Sequence, residues 1–291
     1  LHESIDALSI KEDGVYVDVT YGGGGHSKEI LRRLGKNGRL FGFDQDPDAQ
    51  NNILEDDRFV LIPENFRYIS RFLRFHGVRK VDGVLADLGV SSHQFDEAER
   101  GFSTRFDGDL DMRMNQKSKI SAKEVVNEYS EEKIAEILFL YGELRNSRNI
   151  AKTIVEKRQE ERIDTSFQLR KVLQRFLPNA KEHKIIAQIF QAIRIEVNEE
   201  LDVLKEFLEQ LPNLLNEEGR LSVISYHSLE DRLVKRFFRT GLFVGEPEKD
   251  FFGNISVPLE KVGKLIVPSP QEIKQNNRAR SAKLRIATLK K

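Results

Sequence analysis

The sequence predicts an open α/β fold of the Rossmann-like type, with an all-α subdomain inserted into it. Residues 15–34 read as a short β-branched strand, four glycines and a helix. The order strand, glycine turn, helix forms the ligand crevice of an open α/β sheet at the carboxyl end of its first strand. A second strand, 39–46, contains Asp44 near its end, and an acid about twenty residues after a glycine turn is typical of nucleotide-binding domains. Roughly ninety later residues have helical patterns and no strand pattern, which is more than a crossover needs.

The composition is that of a globular protein without disulfides. The 291 residues contain 39% apolar and 32% charged residues and carry no net charge. No apolar run reaches the ~18 residues of a membrane span. The expected location is the cytoplasm, with which the absence of cysteine is compatible. The absence of cysteine excludes disulfides, thiolate metal sites and thiolate nucleophiles. It therefore also excludes methylation at carbon 5 of a pyrimidine, which requires a thiolate to add to the ring.

The glycine turn, Gly22–Gly25, is the first candidate binding element. A backbone that touches a ligand closely, or that turns with positive φ, cannot carry a side chain. The start of the following helix, predicted over 28–34, adds amide groups that favour an anion. The turn reads G-x-G-x-x-S and not the full dinucleotide pattern, and the chain has no phosphate-binding P-loop motif. A flexible glycine loop without a ligand is the alternative.

Two further strands end in candidate site residues. The third strand, 58–63, leads to Phe66, an aromatic that either lies against a purine or belongs to the core. The fourth strand, 81–89, contains Asp87 near its end. A carboxylate there faces the crevice of a parallel sheet, although an aspartate that only caps a loop or helix is the alternative.

The inserted subdomain is predicted over 103–197. It begins with an acidic loop, 107–114, and continues with amphipathic helices whose apolar residues recur at helical spacing. The predicted helices are 121–129, 130–141, 147–160, 166–176 and 182–197. The α/β domain would then comprise 1–102 and 198–291.

The last part of the chain returns to the α/β pattern. We predict a helix over 198–215 that is ended by Gly219, a strand over 220–226, and a helix that starts at Ser228 with Asp231 completing a capping box. Residues 241–270 are predicted to be loop-rich, and 281–289 should complete the sheet.

Basic residues are concentrated at the C-terminal end. Residues 261–291 contain nine Lys or Arg and one acid, which suggests a surface for a polyanion. The helix after Ser228 also has a basic stripe, which is either a nucleic-acid contact or a solvated helix face. The candidate contacts are Arg232, Lys235, Arg236, Arg239, Arg278 and Arg280.

Several long segments resemble the bacterial 16S rRNA (cytosine-N4) methyltransferases of the RsmH (MraW) family. They read DVTYGGGGHS, FGFDQDP, DGVLADLGVSSHQFDEAERGFS, DGDLDMRM, FQAIRIEVNEEL, SVISYHSLEDRLVKRFF and NRARSAKLRIA. The resemblance extends over nearly the whole chain. It implies a class I methyltransferase fold, S-adenosylmethionine as cofactor and an inserted helical domain for substrate RNA. The implied cofactor contacts are Gly24, Gly25, His26, Asp44, Phe66, Asp87 and Gln94.

The resemblance further implies methylation of the exocyclic amine of a cytidine in the decoding region of 16S rRNA. Many amino-methyltransferases place an acid or amide, two prolines and an aromatic after the fourth strand. Here that position reads Asp87-Leu88-Gly89-Val90, so Asp87 is the candidate catalytic acceptor although the prolines and the aromatic are missing.

The expected partner is 16S rRNA within the small ribosomal subunit. We expect no membrane association and no metal site, and a homodimer is possible. Two other functions remain. A nicotinamide-dependent oxidoreductase would account for Gly22–Gly25 and Asp44, but not for the helical insert. A non-catalytic RNA-binding assembly factor would keep the cofactor site and transfer no methyl group.

Overall fold

A computed structural model describes residues 1–253 and 255–290, and these residues form two compact units. The first unit comprises Leu1–Gly89 and Leu201–Lys291, and the second comprises Val90–Glu200. Lys291, the last residue of the predicted basic segment, lies outside the described residues.

The first unit is an α/β structure, and its first half supplies four parallel strands. The order is α1 (His2–Asp6), β1 (Val15–Asp18), α2 (Gly25–Arg33), β2 (Arg39–Phe43), β3 (Phe59–Ile62), α3 (Ile69–Phe75) and β4 (Val81–Asp87). β1 pairs with β2 and β4, and β2 pairs with β3, all in parallel. The carboxyl ends of these strands therefore lie along one edge of the sheet.

The second half of this unit completes a seven-stranded sheet of order β3-β2-β1-β4-β5-β7-β6. Its elements are α10 (Glu200–Leu214), β5 (Leu215–Ser225), α11 (Ser228–Thr240), β6 (Leu259–Ile266), α12 (Pro270–Gln275) and β7 (Lys283–Leu289). β5 is parallel to β4, whereas β7 is antiparallel to both β5 and β6. The mostly parallel sheet with helices confirms the predicted Rossmann-like class.

Apolar runs explain why these strands are central. β1, β2 and β4 are almost entirely buried, as expected of parallel strands covered on both faces. A core of Val, Leu, Ile and Phe side chains from β1, β2, β4 and β5 packs against α3, α10 and α11. The sheet is thereby fixed, and with it the strand ends that carry the site.

The second unit is helical around its own apolar core. Its helices are α4 (Ser92–Asp96), α5 (Ala122–Glu128), α6 (Glu131–Leu140), α7 (Ser147–Glu160), α8 (Ser166–Val172) and α9 (Glu182–Asn198). The unit begins at Val90, earlier than the predicted 103, because Val90, Phe95 and Phe102 pack with its core. None of the helices in the described part of the chain has the length and apolar composition of a membrane span.

Two local predictions in the C-terminal part are wrong, and a third is incomplete. Gly219 does not end a helix, because α10 stops at Leu214 and Gly219 lies inside β5. The cap of α11 is His227 with Glu230 as its partner, one residue earlier than the predicted Ser228 and Asp231. The region 241–270 contains β6, whose mostly exposed residues give little of the apolar alternation that would have revealed a strand.

Candidate active site

The glycine turn lies where β1 ends and α2 begins. Gly24 adopts φ +75°, and a Cβ there would come within 2.8 Å of the Tyr21 hydroxyl, so only glycine fits. Gly25 is the first residue of α2, and its N-cap residue, Gly24, provides no side-chain hydrogen bond. The first amide groups of such a helix have no partner within the helix, so this turn can bind a carboxylate or another anion.

A fully buried carboxylate, Asp18, forms hydrogen bonds to residues on both sides of the glycine turn. Its side chain is 0% exposed and accepts hydrogen bonds from the Ser27 hydroxyl at 2.7 Å and from the Thr20 amide at 3.2 Å. Burial raises the pKa of Asp18 to about 6, and the two hydrogen bonds oppose this rise. Asp18 therefore fixes the start of α2 against the end of β1.

Asp18 lies within the segment DVTYGGGGHS but is not among the site residues predicted from the sequence. The signal that identified Asp44 and Asp87, an acid at the end of a buried strand, applies equally to Asp18. Asp18 was missed because it lies next to the glycine turn, which is itself the predicted feature at the end of the first strand.

Asp44, at the end of β2, is hydrogen-bonded to the glycine turn. Its Oδ2 accepts the amide of Gly22 at 2.7 Å, and its Oδ1 accepts the amide of Asp46 at 2.9 Å. Burial raises the pKa of Asp44 to about 6, and the charges of Asp46 and Asp18 also raise it. Each carboxylate oxygen can accept a second hydrogen bond, so Asp44 can hold the turn and still bind a hydroxyl.

Asp87 lies at the end of β4 between side chains from two other elements. The Tyr226 hydroxyl donates to its Oδ1 at 2.9 Å, and Nδ1 of His26 lies 3.7 Å from its Oδ2. Its own amide donates to the Thr20 hydroxyl at 2.7 Å. Burial raises the pKa of Asp87, while His26 and the Tyr226 hydroxyl oppose the rise. These contacts are with the side chains of Tyr226 and His26, and an aspartate that only caps a loop or helix would not make them.

His26 contributes a buried ring nitrogen to the site. Its Nε2 has no hydrogen-bond partner among the residues that the structure describes. Burial lowers the pKa of His26, and the Asp87 charge only partly offsets this effect. The imidazole is therefore neutral near pH 7 and can offer one hydrogen bond to a ligand.

Phe66 and Gln94, the two remaining cofactor candidates, have structural contacts of their own. Phe66 packs against the main core, with its ring 5.2 Å from that of Phe207 in an edge-on arrangement. Gln94 belongs to the second unit, where it forms a capping box with Ser91 at the start of α4. A contact of either residue with a cofactor stays a prediction.

The basic candidates differ in how accessible they are. Arg232, Lys235 and Arg239 of α11 are exposed, as are Arg278 and Arg280. Arg236 is only half-buried and donates to the Gly245 carbonyl.

Part of the basic C-terminal segment is neutralised within the first unit. Arg285 donates to Asp231 at 2.7 Å, and Lys283 lies 3.2 Å from the same carboxylate. The positive charge of this segment is therefore smaller than its sequence suggests.

Comparison with known proteins decides the family. A sequence model described as the MraW methylase family matches residues 1–290. This chain belongs to the MraW methylase family. Membership in a methylase family supports S-adenosylmethionine as the methyl donor, the cofactor predicted from the sequence.

Curated relatives match over the full length of the chain. A ribosomal RNA small subunit methyltransferase H of Flavobacterium psychrophilum is 67% identical over 290 residues, covering 100% of both chains. A relative of the same name from Flavobacterium johnsoniae is 66% identical over 287 residues, covering 99% of this chain and 95% of its own. Another from Bacteroides fragilis is 54% identical over 291 residues, covering 100% of this chain and 96% of its own.

Proposed function

We propose that this protein transfers a methyl group from S-adenosylmethionine to the N4 amine of a cytidine in the decoding region of 16S rRNA. The observation that carries the proposal is the group of three carboxylates, Asp18, Asp44 and Asp87, at the ends of adjacent strands around the start of α2. The family supports the reaction class, and the names of the curated relatives support the RNA.

The donor set fits a cofactor that carries both a cation and a carboxylate. The start of α2 at Gly25 suits the carboxylate of the amino-acid portion, and Asp44 suits the ribose hydroxyls. His26, through its buried Nε2, offers a further polar contact.

The charge at this edge favours S-adenosylmethionine over a nicotinamide cofactor. The three carboxylates attract the positive sulfonium, whereas they repel the negative diphosphate of a dinucleotide. The helical second unit and the family also argue against an oxidoreductase.

Asp87 is the proposed acceptor in the transfer step. When bound, S-adenosylmethionine would supply an electrophilic methyl group, and its sulfur would keep the electron pair of the broken S–CH3 bond in S-adenosylhomocysteine. The cytosine amine is a weak nucleophile because its lone pair is delocalised into the ring. Asp87 would accept a hydrogen bond from this amine, help the nitrogen to become tetrahedral, and take the proton that nitrogen loses as its new bond forms.

Alignment of the amine by the protein should provide most of the remaining acceleration, on the order of 7–11 kcal/mol. The target cytidine must leave its stack to reach the crevice. We propose that the second unit and the exposed basic residues of α11, together with Arg278 and Arg280, bind the surrounding RNA.

We further propose that the substrate is the small ribosomal subunit and that the protein acts in the cytoplasm. A homodimer stays a prediction that light scattering can test.

Mass mapping of methyl groups on 16S rRNA tests the proposal directly. Purified protein is incubated with S-adenosylmethionine and either free rRNA or small subunits that lack methylation. We expect one additional methyl group on N4 of a decoding-region cytidine, and none when the cofactor is omitted. Cofactor binding without methyl incorporation would instead support the non-catalytic assembly factor.

A further inference from the structure

The ring of Tyr226 lies beside Asp87, although the two residues are 139 positions apart in the chain. Tyr226 directly follows β5, and β5 pairs with β4 so that Ile224 lies opposite Asp87. This register brings the Tyr226 hydroxyl to 2.9 Å from Oδ1 of Asp87. The contact joins the last residue of β4 to the residue that directly follows β5, so the pairing of these two strands within one unit fixes it.

The loop after β4 runs beside this ring. Gly89 has φ +94°, and a Cβ at that position would lie 3.6 Å from the Tyr226 ring. The ring itself packs against the small apolar cluster of Ile224, Leu284 and Ile286. An aromatic side chain therefore lies beside Asp87 although the Asp87-Leu88-Gly89-Val90 segment contains none, and it comes from the residue that follows β5.

We infer that Tyr226 is a positioning residue for methyl transfer, because its hydroxyl binds Oδ1 of Asp87 and leaves Oδ2 to accept the substrate amine. The ring of His26 also lies near Oδ2, but its Nδ1 at 3.7 Å is beyond hydrogen-bond distance. This inference rests on the proposed function, in which Asp87 is the acceptor.

Tyr226 also acts on the charge of Asp87. The titratable side chains that act on Asp87 are His26 on α2, Asp18 on β1 and Tyr226 after β5. Burial raises the pKa of Asp87, and Asp18 raises it further, whereas the Tyr226 hydrogen bond lowers it. Burial and the Asp87 charge raise the pKa of Tyr226 itself, so the hydroxyl keeps its proton and remains a donor.

Tyr226→Phe tests the inference because it removes the hydroxyl and keeps the ring. Loss of the donor should raise the pKa of Asp87, so the acid limb of the kcat–pH profile should move to higher pH. We expect kcat on small subunits to fall on the order of tenfold, with an unchanged KM for RNA. An acid limb identical to that of the wild type would overturn the inference.

Tyr16→Phe is the matched control. Tyr16 is a buried tyrosine of the same unit, and its hydroxyl accepts the Lys11 amide at 2.8 Å, at the other end of β1. It should lose a hydrogen bond without any shift of the pH profile. A shift of equal size in Tyr16→Phe would reduce the Tyr226 effect to general destabilisation and overturn the inference.

A measurement on the wild-type fold separates this inference from the proposed function. With 13Cζ-labelled tyrosine, the Tyr226 resonance should follow the titration of Asp87 in the wild type and lose that step in Asp87→Asn. A Tyr226 resonance that does not sense Asp87 would overturn the inference even if methyl transfer is observed. Absence of methyl transfer in the wild type, with the coupled titration present, would instead overturn the proposed function and leave only the Tyr226–Asp87 contact established.

Discussion

The Asp44 carboxylate accepts a hydrogen bond of 2.7 Å from the amide of Gly22, 22 residues earlier in the chain. The glycine turn and the distal acid are usually treated as two independent contacts with a nucleotide. Here they are bonded to each other, and the second oxygen of Asp44 also holds the Asp46 amide. Loss of Asp44 should therefore affect the ligand directly and through the shape of the turn.

Asp44→Ala should weaken binding of S-adenosylmethionine about ten- to a hundredfold. Hydrogen bonds to a charged group contribute roughly 1.5–3 kcal/mol, and this substitution removes the acceptor for both the ribose and the turn. Isothermal titration calorimetry measures the effect, with NAD as a second ligand that should not bind.

Asp57→Ala is the control for the lost charge, because Asp57 is an exposed acid in the same unit. It should leave the affinity for S-adenosylmethionine unchanged. Equal affinities of wild type and Asp44→Ala would contradict the role of Asp44, and tight binding of NAD would revive the oxidoreductase alternative.

Asp18 should make stability depend on pH in a defined window. Its folded pKa of about 6 exceeds the ordinary value of 3.8, so the folded state holds the extra proton between pH 4 and pH 6. The free energy of unfolding should therefore fall as pH rises through this window, by on the order of 3 kcal/mol from this group. Asp18→Asn cannot ionise and should lose this part of the pH dependence in urea unfolding.

Asp13→Asn is the comparison for that experiment, since Asp13 is exposed in the same unit. It should retain the pH dependence of the wild type. If Asp18→Asn and the wild type lose stability in parallel between pH 4 and pH 6, the Asp18 carboxyl does not titrate as burial requires.

The sequence was sufficient to place a strand or helix where the local residue pattern is compatible with only one type of secondary structure. The buried β-branched run before Gly22–Gly25 and the α7 segment with its helical apolar spacing could be placed because nearby residues determine them. The long helical stretch likewise has its own core, which explains why its pattern is readable without knowledge of the rest.

Contacts between distant residues could not be predicted in this way. Tyr226 meets Asp87 only because β5 lies next to β4, and neither segment alone contains that information. The neutralisation of Lys283 and Arg285 by Asp231 depends in the same way on α11 packing near β7. β6 was missed because an edge strand with mostly exposed residues lacks the apolar alternation of an interior strand.

Charge reversal on α11 should weaken RNA binding and its salt dependence together. Removal of one cation that binds a phosphate lowers the slope of log K against log salt by about 0.7–0.9, so Arg232→Glu with Arg236→Glu should lower it by about 1.5. Because Arg232 is exposed whereas Arg236 is half-buried, Arg232→Ala should have a larger effect than Arg236→Ala. Filter binding to 16S rRNA over a salt series measures both quantities.

Arg71→Glu with Arg74→Glu provides the matched control for that series. These arginines are exposed on α3, a helix of the same unit that is not proposed to bind RNA. If the α11 and α3 pairs lower the slope equally, net charge alone governs binding. An unchanged slope in the α11 pair would mean that its basic stripe is only a solvated helix face.

Asp87→Ala should reduce methyl transfer a hundredfold or more while the fold survives, because it removes the acceptor for the amine. Since Asp87 is also a predicted cofactor contact, single-turnover transfer must be measured at saturating S-adenosylmethionine, with its affinity determined separately by calorimetry. The substitution also leaves the Tyr226 hydroxyl without its partner, so Asp87→Ala with Tyr226→Phe should be scarcely slower than Asp87→Ala alone. Additive losses in the double variant would show that Tyr226 acts independently of Asp87, and full transfer by Asp87→Ala would remove Asp87 from the reaction.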